Sequence, residues 1–136
     1  MTEAERLQKR CSDFALRVLR AFRALPRSAE SRILGQQLLR SATSVAANYR
    51  AACRARSRSD FLSKLGIVEE EADETVFWLE FIVQAELLSQ SRLVALIREA
   101  KELTAIFVAS RRTTKENNCK LAFENCKSRP RRNLRT

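Results

Sequence analysis

Along four successive stretches of this chain, apolar side chains recur at steps of three and four residues, the spacing of one buried face on an α-helix. The first stretch runs from about Glu3 to Leu25, with Leu7, Cys11, Phe14, Val18, Phe22 and Leu25 on one stripe. Pro26 closes it, because a proline pushes the preceding residue out of helical geometry. The second, about Ala29 to Arg54, carries Leu34, Leu38, Ala42, Val45, Tyr49 and Ala52. Small residues around that stripe (Ser41, Ser44, Ala46, Ala47, Ala51) let a neighbouring helix approach closely. The third follows the basic connector Arg54–Arg58, and its stripe is Phe61, Leu65, Val68, Ala72, Thr75, Leu79 and Ile82. The fourth, from near Ser91 to about Asn117, carries Leu93, Leu96, Ile97, Ala100, Leu103, Phe107 and Ser110.

Helix starts are marked as well. Ser28 can accept a backbone hydrogen bond ahead of the second stretch, with Glu30 in its first turn. Ser57 or Ser59 can do the same for the third, and Ser57 with Asp60 has capping-box-like spacing. Short gaps make successive helices antiparallel neighbours. The expected fold class is all-α: an antiparallel up-down-up-down four-helix bundle over residues 1–117. Beyond it the periodicity stops, and residues 118–136 read as a disordered basic tail.

One set of residues does not fit a lone bundle. On the third helix Phe77 and Phe81 point away from the core stripe, near Glu70 and Glu74, and Trp78 lies to one side. Exposed aromatics of this kind mark association surfaces, so self-association through the third helix is expected, with helix wobble or cover by the tail as the competing explanation. On the second helix Ser41, Ser44 and Asn48 form a polar seam at the edge of the core. A buried amide there would fix helix register, a structural use expected ahead of ligand binding.

Charge changes the picture more than composition does. The formal net charge is +10, from 26 Lys and Arg against 16 Asp and Glu. Between Asn117 and Thr136 there are six basic residues and one acid, Glu124. Such a field attracts polyanions, nucleic acid first. The candidate contacts are Arg54, Arg56, Arg58 and Lys64 around the connector, and Arg129, Arg131 and Arg132 in the tail. Guanidinium groups bind phosphate through forked, charge-assisted hydrogen bonds. Arg40 and Arg50 also project from the second helix, where pairing with acids of the third competes with phosphate. Trp78 and Tyr49 could stack on bases, although Tyr49 falls within the core stripe.

Other chemistry is thinly represented. The chain has no histidine, which removes the usual general base, the Ser-His and Cys-His pairs and the commonest transition-metal ligand. No catalytic residue, metal or cofactor is expected. The four cysteines match no common zinc spacing and are expected to be free thiols. No apolar run reaches the ~18–20 residues of a membrane span, and the opening MTEAERLQKR lacks a signal-peptide core. A cytoplasmic location is expected.

The stretch from Gln37 to Leu79 resembles the 23S rRNA intervening-sequence proteins. The run SVAAN, Ser44 to Asn48, is similar to that family's Ser-Ile/Val-x-x-Asn signature, and Phe61, Lys64, Glu70, Glu71 and Glu74 match its third-helix pattern. Where the family usually has Glu-Gly after the Asn, this chain has Arg50-Ala51. The resemblance implies a four-helix bundle assembled into a ring, a pentamer, with no established catalytic residues. It further implies RNA or DNA binding, and for related bundles association with a reverse transcriptase.

Together these readings give a non-enzymatic homo-oligomer that binds nucleic acid, RNA ahead of DNA. The alternatives are a protein-binding scaffold, for example for a reverse-transcriptase-like partner, and an enzyme built on carboxylates alone.

Overall fold

Thr2 opens the first helix with a reciprocal cap. Its hydroxyl accepts from the Glu5 backbone N–H at 3.1 Å, and its own N–H donates to the Glu5 carboxylate at 3.0 Å, which satisfies two of the donors a helix start leaves free. The computed structural model describes residues 1–116. Within them run α1 (Glu3–Arg23), α2 (Ala29–Cys53), α3 (Arg58–Gln84) and α4 (Gln90–Lys115), and no strand occurs among the described residues. Ser28 and Ser57 cap α2 and α3, accepting from Ser31 N–H at 3.1 Å and Asp60 N–H at 3.0 Å. Tail residues Arg129, Arg131 and Arg132 lie outside the described residues.

Each helix packs against the next in the chain, and α1 closes the bundle against α4 through a smaller contact than any of these. This is the expected all-α four-helix bundle. The predicted stripes form one core: Phe14, Val18, Leu38, Val45, Phe61, Leu65, Leu79, Ile82, Leu93, Leu103 and Phe107 are all excluded from solvent. Tyr49 is packed there too, its ring 5.5 Å from that of Phe107. No helix among the described residues is long and apolar enough to cross a membrane.

The α3–α4 turn carries no glycine or proline. Leu87 N–H donates to Ile82 O at 3.1 Å and Glu86 N–H to Val83 O at 3.0 Å, the paired bonds of a Schellman ending. That ending puts Glu86 at φ 60°, a left-handed conformation a side chain adopts only at some cost.

The two glycines predict opposite responses. At Gly35, an added Cβ would sit 2.7 Å from Leu25 Cδ1 and 2.9 Å from Phe22 Cδ2, because α1 presses closely there. At Gly66 it would meet nothing within 4 Å. Gly66→Ala should therefore stabilise the monomer by about 1 kcal/mol through helix propensity. Gly35→Ala should lose that gain to overpacking, which typically costs ~1–3 kcal/mol. Urea denaturation of the two variants beside the wild type measures the difference.

Cys11 is a buried free thiol, and Cys53 is buried as well. Burial, with Cys53 nearby as the next contribution, pushes the Cys11 thiol up to about 12. The reactive species is the thiolate, so Cys11 should resist a thiol reagent at neutral pH until the bundle unfolds. Peptide mapping after labelling, with and without denaturant, checks this.

Candidate nucleic-acid interface and association surface

The connector between α2 and α3 brings three helix ends together. Arg58, the first residue of α3, donates a hydrogen bond from its guanidinium to the Thr114 carbonyl in the last turn of α4. A cation suits that place, since the last carbonyls of a helix lack internal partners and carry its negative pole. Lys64 donates to both carboxylate oxygens of Asp60, one turn back, at 2.8 and 2.7 Å. Asp60 is held below the usual carboxylate range, first by that Lys64 bond and then by the Arg56 backbone N–H. Arg58 and Lys64 thus have partners inside the protein.

Arg54 and Arg56 differ. Arg54 is the C-cap of α2, and both residues are exposed with no side-chain hydrogen bond or ion pair among the described residues. The Arg58–Thr114 bond places the last turn of α4 beside them, with its basic residues Arg112 and Lys115. Both of these are exposed and equally unpaired among the described residues. In sequence they stand in the run Arg111-Arg112-Thr113-Thr114-Lys115, which does not by itself mark a site, since a basic last turn is simply what the helix dipole favours.

Higher on α2, Arg40 bridges to α3, with Glu71 at 3.2 Å and Glu74 at 2.6 Å. The Arg40 guanidinium is raised, first by Glu74, and Glu74 is correspondingly held low by Arg40 and then by the Trp78 indole N–H, 3.1 Å away. Pairing with third-helix acids therefore accounts for Arg40. Arg50 is exposed and has no ion pair among the described residues, at one end of a groove of about 540 Å³ between α1 and α2. Leu16, Leu19, Leu39, Ala46 and Ala47 give this groove an apolar lining.

Phe77, Trp78 and Phe81 stand together on the outer side of α3. The Phe77 ring lies 4.9 Å from Trp78 and 5.8 Å from Phe81, with Trp78 and Phe81 6.3 Å apart. Phe77 is 54% and Phe81 39% exposed, and Ile67 is exposed on the same outer stripe. Nothing within residues 1–116 covers the cluster.

The polar seam divides in two. Ser41 is fully buried, donates to Leu38 O at 3.0 Å, and lies 2.9 Å from the Thr75 hydroxyl across the α2–α3 contact. Ser44 and Asn48 instead pair within α2, where the Asn48 amide donates to Ser44 O and Oγ at 2.9 and 2.8 Å. Thr75 is the interhelix partner.

The profile of the 23S rRNA-intervening sequence proteins matches residues 4–109. This chain belongs to that family. A crystallised protein of unknown function from the S23 ribosomal protein family of Bacteroides thetaiotaomicron is 30% identical, over 77% of this chain and 97% of its own, with a TM-score of 0.72. No curated protein matches. The match to this 23S rRNA-intervening sequence protein spans all of α1, α2 and α3 except Glu3, and most of α4, so Arg54 and Arg56, the aromatic cluster and the α1–α2 groove lie within the family unit, while Arg112 and Lys115 follow it.

Proposed function

We propose that this protein is a non-enzymatic homo-oligomer that holds nucleic acid by electrostatic contact at its Arg54 end. The observation that carries the reading is the set of unpaired, exposed cations at that end, Arg54 and Arg56 beside Arg112 and Lys115. Lys64 and Arg111 at the same end, and Arg10, Arg40 and Lys101 elsewhere on the bundle, are instead committed to acids. RNA is the proposed partner ahead of DNA.

Association rests on two complementary surfaces. The aromatic cluster on α3 is flanked towards the N-terminus of that helix by Glu70 and Asp73, which are exposed. The α1–α2 groove has its leucines towards one end and Arg50 at the other. Asp73 to Phe81 spans ~12 Å and Arg50 to Leu39 ~16 Å at 1.5 Å per residue, so one docking can satisfy acid with base and aromatics with leucines. Within each surface the charge lies on the connector side of the apolar part, which makes docked copies parallel. A heterologous contact of that kind forms a ring where the rotation between copies closes, and the family resemblance sets the expected number at five.

The test is fluorescence anisotropy with a labelled single-stranded RNA, comparing wild type with the double variant Arg54→Glu, Arg56→Glu at matched oligomeric state. Loss of binding in the variant is the expected result. Equal binding removes the proposed site, and selective capture of an acidic protein instead of RNA would make the protein a scaffold.

A further inference from the structure

At the opposite end of α2 lies a second basic site. A pocket of about 520 Å³ is lined by Arg23, Arg27, Ser28, Ala29, Ser31 and Arg32, around the start of a 25-residue helix. Ser28 caps the Ser31 N–H, and Arg32 N–H donates to Ser28 O. The backbone N–H groups of Ala29 and Glu30 remain without an acceptor among the described residues. A helix start like this has unsatisfied donors and the positive pole of the helix dipole.

Two further observations point to a ligand. Ser31 is 2% exposed, and its hydroxyl has no hydrogen-bond partner. It is the one such buried side-chain oxygen or nitrogen among the described residues, where buried polar groups are otherwise paired, as expected. Secondly, Arg23, Arg27 and Arg32 line this pocket with exposed, unpaired guanidiniums. Glu30, exposed in the first turn, is the acid at this end of α2 and opposes an anion only in part.

We propose that this pocket binds a phosphate monoester dianion. The Ser31 hydroxyl and the Ala29 and Glu30 N–H groups supply donors to the phosphate oxygens, and the three arginines supply charge. This chemistry is shared by inorganic phosphate, a small phosphorylated metabolite and the 5′-phosphate of a nucleic-acid strand. The site is independent of the Arg54 end, one helix length away (~37 Å at 1.5 Å per residue), so either can fail alone.

The test is thermal unfolding of the full chain titrated with inorganic phosphate at constant ionic strength, chloride replacing phosphate in the control. A saturable rise in melting temperature is expected with phosphate only. Arg27→Ala combined with Arg32→Ala should raise the half-saturating concentration at least tenfold, and Arg54→Ala should leave it unchanged. Ser31→Ala discriminates further. Because the hydroxyl has no protein partner, its removal should not lower the melting temperature of the free protein, yet it should weaken phosphate at least threefold. A 5′-phosphorylated trinucleotide competing tenfold better than its 5′-hydroxyl form assigns the site to a strand end; competition by neither assigns it to a small anion. A phosphate response no larger than that of chloride overturns the proposal, as does one unaffected by either the arginine pair or Ser31→Ala.

Discussion

Phe81→Glu is expected to turn the oligomer into folded monomers. Phe81 is 39% exposed and contributes to the outer aromatic cluster, not to the core, so the substitution costs contacts to Phe77 and Trp78 and leaves the core intact. At an interface, the same change would bury a carboxylate among Leu16, Leu19 and Leu39 of the neighbour. Central aromatic anchors are worth at least ~2 kcal/mol each, about a thirtyfold change in dissociation constant, and an unpaired buried charge adds to the loss. In a ring every subunit contributes the patch once and the groove once, so all contacts weaken together. Light scattering after gel filtration should show a wild-type oligomer and a variant at monomer mass, with the same helical circular dichroism. Ala47→Trp, filling the groove from the other side, should give the same mass. Arg50→Glu and Asp73→Arg should each weaken association, and the double variant should restore it. A wild-type protein that elutes as a monomer ends the proposal.

The fold was legible because each core stripe follows a helical period and each gap contains a stop or start residue. Pro26 and Ser28 bracket the first turn, and Ser57 the third helix, as the side-chain chemistry requires. The features that escaped are those periodicity does not encode. The Thr2–Glu5 box is a short polar signature outside the apolar stripe. The end of α3 has no glycine, since Glu86 takes the left-handed position itself. Among candidate residues, the aromatic cluster was visible because three large side chains off the stripe have no place in a single bundle. Which cations were free was not visible. Arg58 and Lys64 look like Arg54 and Arg56 in sequence, and only the positions of Thr114 and Asp60 separate them. Ser44 and Asn48 likewise turned out to satisfy each other within one helix, leaving the cross-helix bond to Ser41 and Thr75.

RNA affinity should fall steeply with salt, and this is the largest effect expected of the protein. If about five phosphates are engaged per binding event, log affinity should decline against log salt with a slope near −4 to −5. Between 50 and 200 mM salt that amounts to roughly a 500-fold loss of affinity. The sequence lacks the basic-plus-aromatic motifs of the known RNA modules, and Tyr49, one aromatic able to stack on a base, is buried against Phe107. With stacking and base-edge contacts so reduced, counterion release has to supply most of the binding free energy. Each of Arg54→Ala and Arg56→Ala should then reduce the slope by about 1. Lys64→Gln should hardly change it, because that ammonium is already neutralised by Asp60 at 2.7 Å. Arg58→Gln should act mainly on stability, by uncovering the Thr114 carbonyl at the end of α4. Titrations at four salt concentrations with the wild type and these four variants separate the terms. Tight binding that persists at high salt would require specific contacts that the Arg54 end does not provide, and would move the site elsewhere on the bundle.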